Sequence, residues 1–278
     1  MSNMDKAFFT EKCKTIRCLI MEGIASIGSG HIGGCLSCVE ALTVLRYKLM
    51  QGLDPKDPHK EGRDRLVISK GHAGPTMYAI LADQGYYPME WITTLNRLNT
   101  NLPSHTDMNH TPGIDMTAGS LGQGIACAVG LAYGSKLKKD GATIYCLVGD
   151  GESQEGEVWE AAHIAAAKGL SNLICMTDYN KLQIDGTVEE VSGLAPLGEK
   201  WKAFNWNVYD VDGHDTDAIA AAVLQAKKDG AENGRPSMII LNTIKGKGVS
   251  FAEAKGAACH HFAITQEEFE IAKKEIMG

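Results

Sequence analysis

Short apolar segments alternate with helical patterns through the second half of the chain, and this alternation constrains the fold more than any other feature. The apolar segments predict strands at 142–148, 172–177, 206–211 and 237–243, with helical patterns between them at about 155–168, 196–204 and 215–228. Strands that alternate with helices favour βαβ units, and nearly continuous apolar strands are typical of a parallel sheet covered on both faces. The sequence therefore predicts an α/β fold with a doubly wound, mostly parallel sheet and helices on both faces. Because no linker divides the chain, we expect residues 1–278 to form a single domain.

The first half of the chain is less regular. It predicts helices at 5–27 and about 39–49, a strand at 65–69, helices that begin near Pro75 and Pro88, and a small-residue helix at about 121–138. Ser37 and Glu40 form a capping-box pattern for the second helix, and Thr265 and Glu268 form another for a last helix. Residues 98–118 show no periodicity and predict a long loop that is either functional or disordered.

Charge and cysteine content exclude several classes of protein. The chain carries 27 basic and 34 acidic residues, a net charge of −7, whereas proteins that track nucleic-acid phosphates are usually basic. No stretch approaches the roughly 18 apolar residues of a membrane span, and the amino terminus lacks an apolar signal core. We therefore expect neither a nucleic-acid nor a membrane partner. Eight cysteines without a secretion signal predict reduced thiols and a cytoplasmic location.

Polar residues follow two consecutive predicted strands. Asp150 follows the 142–148 strand within the motif GDGESQEG, and Asn180 follows the 172–177 strand within DYNKLQIDG. Ligands bind outside the carboxyl ends of parallel strands, and consecutive strands of a βαβ unit are often neighbours. A carboxylate and an amide oxygen would then lie side by side, which is the chemistry that Mg²⁺ prefers together with ligand phosphates. The alternative is a simple turn at Asp150 and an ordinary loop residue at Asn180.

Two glycine-rich loops and one acidic turn are further candidates. The segment GSGHIGG at 28–34 leads into a helix and suits an anion, but it lacks the lysine of a P-loop and follows no strand. The glycines of GSLGQG at 119–124 either admit a planar ring or a phosphate next to the backbone, or allow close helix packing. Glutamates crowd the start of the 155–168 helix, where either a solvated turn or burial at an interface between chains explains Glu152, Glu155, Glu157 and Glu160.

Loop histidines are the natural proton carriers of such a site at neutral pH. His31, His72 and His105 stand in separate loops, and His260 lies beside His261. These loops could converge on one pocket, or the histidines could be surface residues. A zinc cluster is a weaker alternative, with His105, Asp107 and His110 as its ligands.

Taken together, the motifs resemble those of thiamine-diphosphate enzymes and, within them, of the transketolases. The motifs GSGHIGG, SKGHA, LPSH, SLGQG, GDGESQEG and NKLQIDG, and a closing histidine after a KGKG turn, occur in transketolase order from about residue 12 to about residue 270. One departure concerns the closing histidine: Cys259 and His261 replace the tryptophan and glycine that usually flank it. Which of His260 and His261 points inward is therefore open.

The resemblance implies a cofactor, a metal ion and a role for each matched residue. Asp150, Asn180 and the backbone carbonyl of Leu182 would hold Mg²⁺ or Ca²⁺ against the diphosphate. The residues that would bind thiamine diphosphate are Gly119, Leu121, Gly149, Asp150, Gly151, Asn180 and Ile184. The residues that would act as catalytic histidines along the channel to the thiazolium carbon are His31, His72, His105 and His260. His105 would contact the donor ketose, and Glu155 and Glu160 resemble paired interface glutamates.

The implied reaction is the transfer of a two-carbon ketol unit from a ketose or ketose phosphate to an aldose or aldose phosphate. The family's pyrimidine-binding and third domains have no counterpart in this sequence. We therefore expect a heterotetramer of the α₂β₂ type with a separate carboxy-terminal subunit. The alternatives are a subunit similar to deoxyxylulose-phosphate synthase, a non-catalytic regulatory subunit, and a nicotinamide dehydrogenase, although the last lacks G-x-G-x-x-G after a first strand.

Overall fold

A computed structural model describes residues 3–278 and contains a central five-stranded sheet. Its strands are β1 (Arg65–Ile68), β2 (Ile144–Gly149), β3 (Leu173–Tyr179), β4 (Asn207–Asp212) and β5 (Ser237–Asn242). They lie in the order β1-β2-β3-β5-β4, and every pair is parallel. The order places the end of β2 beside the end of β3, and the end of β4 beside that of β5.

The helices are α1 (Asn3–Ile27), α2 (Ile32–Leu36), α3 (Val39–Val44), α4 (Gly74–Asp83), α5 (Gln123–Lys138), α6 (Gly156–Ala167), α7 (Val188–Ser192), α8 (Leu197–Ala203), α9 (Thr216–Asn233), α10 (Ser250–Glu253) and α11 (Gln266–Met277). Between 98 and 118 the chain forms neither helix nor strand, as predicted. Among the described residues, no helix is both long and apolar enough to cross a membrane.

Two hydrophobic cores cover the two faces of the sheet. Alternate strand residues such as Tyr145 and Leu147 pack with α1, α3, α4 and α9, whereas Ile144, Cys146 and Val148 pack with α5, α6 and α8. Burial on both faces explains why β2, β3 and β5 are mostly apolar rather than alternating, whereas the edge strand β4 is partly exposed and carries Asp210 and Asp212. The predicted doubly wound, parallel α/β fold is confirmed.

The capping box predicted from Ser37 and Glu40 is wrong. Ser37 ends α2 and donates a hydrogen bond to the Asp178 carboxylate at 2.6 Å, and the Glu40 carboxylate pairs with Arg17 at 2.7 Å. Both side chains have partners on distant elements, so neither is available to cap a helix. The predicted helix at 39–49 is α3 followed by a π-helical turn at Leu45–Leu49.

The other local helix predictions differ in detail. The segment after Pro88 is a 3₁₀ helix, Met89–Thr94, rather than an α-helix. The capping box of Thr265 and Glu268 at the start of α11 is confirmed, because each side chain accepts a hydrogen bond from the other's backbone N–H.

Two short antiparallel pairs lie outside the central sheet, and the sequence analysis predicted neither. Ser29–Gly30 pairs with Phe262–Ala263, which holds the glycine-rich loop at 28–34 beside the segment that carries the closing histidine. Leu182–Gln183 pairs with Gly186–Thr187 directly after β3. Both pairs therefore lie in segments that the sequence analysis assigned to the functional site.

Candidate active site

The carboxyl edge of the sheet opens into a cavity of about 400 Å³. Gly149 at the end of β2 lies opposite Asp178 on β3, so the residues that follow the two strands lie side by side. Asp150 and Asn180 both line the cavity. The other predicted site residues also line it, namely His31, His72, His105, Gly119, Leu121, Gly149, Gly151, Leu182, Ile184 and His260. The fold therefore brings together the site residues that were predicted from the sequence. Their chemical roles remain predictions.

The three residues predicted to hold a metal ion, Asp150, Asn180 and Leu182, line the same cavity. The Asp150 carboxylate is 3 % exposed and accepts hydrogen bonds from the backbone N–H groups of Gly151, at 2.7 Å, and Lys181. Burial, and secondarily the Asp178 carboxylate, raises the pKa of Asp150 from 3.8 to about 7. Asn180 Oδ1 accepts from the Leu182 N–H at 3.1 Å. A buried carboxylate without a paired lysine or arginine among the described residues, beside amide and carbonyl oxygens, suits a hard divalent cation.

A buried ion pair that the sequence analysis missed supports these oxygens. Asp178, at the end of β3, pairs with Lys70 and also accepts hydrogen bonds from Ser37, Thr243 and Asn180 Nδ2. Burial alone would raise the pKa of Asp178, but the Lys70 ammonium and the hydrogen bonds from Ser37 and Thr243 together outweigh it and hold that pKa below its ordinary value. Asp178 therefore fixes the orientation of the Asn180 amide, with its Nδ2 towards Asp178 and its Oδ1 towards the Leu182 N–H. The sequence offered one indication of this ion pair, because Asp178 is a charged residue at the end of a mostly apolar strand.

The four predicted histidines form one cluster. The His31 ring lies 5.5 Å from His72 and 5.3 Å from both His105 and His260, measured between ring centroids. Burial lowers the pKa of His31 to about 4 and that of His260 to about 3, with neighbouring imidazoles and lysines adding to the effect. The pKa values of His72 and His105 are also lowered by burial. At neutral pH the cluster is therefore uncharged, and each ring can accept one hydrogen bond and donate one.

The structure distinguishes His260 from His261. His260 lines the cavity, and its Nδ1 lies 3.3 Å from Lys245 Nζ. His261 is exposed and touches the outer side of the His31 ring, at 4.8 Å between centroids. Cys259 is buried and packs so closely on Gly33 that a Cβ there would lie 2.5 Å from the Cys259 carbonyl oxygen. His260 is thus the one of the pair that faces the cavity.

Lys245 is a second residue that the sequence analysis missed. It follows β5 in the turn IKGKG, and its ammonium donates to the Leu182 carbonyl oxygen at 2.7 Å as well as to His260. Burial, and secondarily Lys70, lowers the pKa of Lys245 to about 8. Lys245 comes shortly after the carboxyl end of β5, where ligands bind in parallel sheets, so the reasoning that predicted Asp150 as a site residue applies to it as well.

The glutamates near the start of α6 differ in burial. Glu152 is 2 % exposed and accepts from the N–H groups of Gly122, at 2.9 Å, and Gly149, at 2.8 Å, and from the Ser69 hydroxyl. It therefore joins the glycine loop at 119–124 to the end of β2, and burial raises its pKa. Glu155 and Glu160 are exposed; Glu155 lines the cavity, and Glu160 lies on α6.

The zinc alternative is wrong. His110 Nδ1 lies 2.9 Å from the Asp107 carboxylate in a hydrogen bond, while His105 belongs to the imidazole cluster. Across residues 3–278, no group of three or more histidine, cysteine, aspartate or glutamate side chains could hold a metal ion.

Comparison with known proteins identifies the family. The family model for the thiamine diphosphate binding domain of transketolase matches residues 9–278. The chain belongs to the transketolase family. One relative of this chain is the 6-deoxy-6-sulfo-D-fructose transketolase subunit SqwG of Clostridium sp. (strain MSTE9), with which it shares 52 % identity over 265 residues. That alignment covers 95 % of this chain and 94 % of the relative. The chain is 38 % identical to an apulose-4-phosphate transketolase subunit of Actinobacillus succinogenes, over 96 % of this chain and 95 % of that protein.

Solved transketolases share the fold of this family member. The Pichia stipitis enzyme in complex with sedoheptulose-7-phosphate superposes with a TM-score of 0.89 at 30 % identity, over 97 % of this chain and 40 % of that one. The Campylobacter jejuni enzyme superposes with a TM-score of 0.88 at 32 % identity, over 97 % of this chain and 42 % of that one. The transketolase-family chain thus spans about two fifths of the length of these solved enzymes. The predicted family, fold and transketolase-type enzyme class are confirmed, and the dehydrogenase alternative is wrong.

Proposed function

We propose that this chain is the amino-terminal subunit of a two-chain transketolase that transfers a two-carbon ketol unit from a ketose to an aldose. The observation that carries the proposal is the single cavity in which Asp150 and Asn180 face a cluster of uncharged imidazoles. When bound, thiamine diphosphate supplies the chemistry that breaks and forms the carbon–carbon bond. The chain supplies metal ligands, orientation and proton transfer.

In this proposal Asp150, Asn180 Oδ1 and the Leu182 carbonyl would hold Mg²⁺, and Gly119 and Gly149 would leave room for the cofactor. Gly151 would also line the cofactor, although the space beside its Cα is filled by Gln183. The donor set supports the assignment because all three ligands are oxygen atoms and one is a buried carboxylate without a cation partner among the described residues. A Cβ on Gly119 would meet only the His105 ring, at 4.0 Å, so the space above this loop is open to a ligand.

The imidazole cluster holds and moves protons at the substrate. His31, His72, His105 and His260 are neutral near pH 7, so each can accept a proton from a hydroxyl or donate its own. We assign contact with the donor hydroxyls to His105. Loss of one general acid or base typically costs about 10²–10⁴-fold in rate.

A separate pyrimidine-binding subunit would complete the site in an α₂β₂ heterotetramer. Leu121 is 37 % exposed and Ile184 is 66 % exposed at the cavity, and both are large apolar side chains that a cofactor or partner would cover. Glu155 at the cavity and Glu160 on α6 offer exposed carboxylates to such a partner. We further propose a cytoplasmic location, in keeping with the eight free cysteines.

The substrate proposal follows the relatives. The 52 % identical protein is named for 6-deoxy-6-sulfo-D-fructose, and the 38 % identical one for apulose 4-phosphate. We propose the sulfonated ketose as the donor for this chain, since the higher identity favours it. A deoxyxylulose-phosphate-synthase-like activity or a regulatory role is the alternative, and the imidazole cluster argues against a role without catalysis.

The test begins with the chain purified together with its partner from the source cell, followed by calorimetry with thiamine diphosphate and Mg²⁺. We expect Mg²⁺-dependent binding that Asp150→Ala abolishes. Asp57→Ala is the matched control, because Asp57 is exposed and does not line the cavity. Unchanged affinity in the Asp150 variant would reject the metal assignment, and products formed from paired ketoses and aldoses would identify the donor.

A further inference from the structure

His214 occupies a turn at the carboxyl end of β4, beside the end of β5. The Asp212 carboxylate accepts a hydrogen bond from the His214 N–H at 2.8 Å, and the Gly213 N–H donates to the Asn242 carbonyl at 2.9 Å. A Cβ on Gly213 would lie 2.4 Å from the Thr243 side chain, so only glycine allows this close approach. The turn therefore places the His214 ring against the segment that follows β5.

The His214 ring bridges a buried carboxylate and that segment. Its Nε2 accepts a hydrogen bond from the Ile244 N–H at 2.9 Å, and its Nδ1 lies 3.1 Å from Glu40 Oε2. A backbone N–H can only donate, so Nε2 carries no proton and Nδ1–H donates to Glu40. Glu40 is 7 % exposed and is held in turn by Arg17 at 2.7 Å. The ring is thus fixed in one tautomer from two sides.

We propose that His214 is a positioning residue that holds Lys245 in the cavity. Lys245 follows Ile244 directly and is 4 % exposed, with its ammonium on the Leu182 carbonyl and on His260 Nδ1. Because an ammonium can only donate, His260 carries its proton on Nε2. The His214 ring therefore acts through Lys245 on the orientation and tautomer of His260. The inference rests on the proposed function only in that the cavity is taken to bind thiamine diphosphate.

Two variants separate positioning from simple packing. His214→Asn keeps a donor near Glu40 but loses the acceptor for Ile244, whereas His214→Gln can still present an oxygen to the Ile244 N–H. We expect His214→Asn to weaken thiamine diphosphate binding to the two-subunit enzyme about tenfold, the size of one lost hydrogen bond, and His214→Gln to restore most of it. Equal losses in the two variants would contradict the proposal.

A double-mutant cycle tests whether the effect runs through Lys245. In a Lys245→Met background, His214→Asn should change the affinity less than about twofold, because the side chain that it positions is already gone. If His214→Asn costs the same factor in both backgrounds, His214 acts independently of Lys245 and the inference is wrong. Absence of binding by the unmodified enzyme would instead reject the proposed function.

The tautomer can be read without any ligand. In long-range ¹H–¹⁵N spectra of the full chain with ¹⁵N-labelled histidine, the signals that disappear in His214→Asn should show a protonated Nδ1 and an unprotonated Nε2. In His214→Asn itself, the Nε2-protonated form of His260 should lose population. A protonated Nε2 on His214 in the unmodified protein would overturn the inference whatever the binding data show.

Discussion

The imidazole cluster should make the folded protein sensitive to mild acid, and His31→Gln tests this directly. Burial lowers the pKa of His31 from 6.5 to about 4, so between these two values the unfolded chain binds a proton that the folded chain does not. Folding stability therefore falls as the pH drops from about 6.5 towards 4. With about 1.4 kcal/mol for each pH unit between the two pKa values, His31 accounts for up to about 3 kcal/mol of that loss.

The assay is urea denaturation of the cofactor-free protein at several pH values between about 7.5 and 4.5. Glutamine is neutral and polar, so His31→Gln removes the titration without leaving an apolar gap. Its stability at pH 7.5 can differ from that of the unmodified protein through lost contacts, but that difference is independent of pH. The decisive quantity is the change in free energy of unfolding between the two ends of the range, which should be smaller for the variant.

His59→Gln is the matched control, because His59 is exposed and lies outside the cavity. Its profile should run parallel to that of the unmodified protein. If the His31→Gln profile were also parallel, His31 would not be held neutral by its surroundings, and the argument for uncharged imidazoles at the site would fail.

Two further predictions concern packing around the site. Lys70→Met leaves Asp178 buried without its cation and should lower the free energy of unfolding, measured in urea, by about 3–5 kcal/mol. The double variant Lys70→Met/Asp178→Asn should recover part of that loss. A cost below about 1 kcal/mol for Lys70→Met would contradict the ion pair. Gly71→Ala places a Cβ 2.3 Å from the Ala118 carbonyl oxygen and should lower the thermal midpoint of unfolding by several degrees. In the control Gly130→Ala on α5, the new Cβ meets nothing within 4 Å, so this variant should be neutral or stabilise the protein by up to about 1 kcal/mol. Similar midpoints for the two glycine variants would refute the close approach at Gly71.

Some of the site could be predicted because its position follows from backbone order. Consecutive strands of a βαβ unit are often neighbours, as β2 and β3 are here, and the carboxyl ends of parallel neighbours meet at one edge of the sheet. Asp150 and Asn180 come directly after those strands, so their proximity needs no knowledge of side-chain packing. The capping box at Thr265 is equally local, since both partners lie within one turn.

Other parts depended on contacts between distant segments. The same local pattern at Ser37 and Glu40 failed because Asp178, 141 residues away from Ser37, offers that hydroxyl a stronger partner, and Arg17 takes the carboxylate. The choice between His260 and His261 was likewise open, because it depends on the contacts of His260 with Lys245 and His72.

The approximate positions of the strands, the cap at Thr265 and the residues that follow the strands could be predicted from the sequence alone, because each depends on a local pattern: an apolar segment for a strand and one helical turn for the cap. The order of the five strands, the pairing of Lys70 with Asp178 and the tautomer of His214 were decided only by the tertiary structure. The reason is physical: a polar side chain taken out of water must find a partner, and its nearest candidate in space can lie a hundred residues away along the chain.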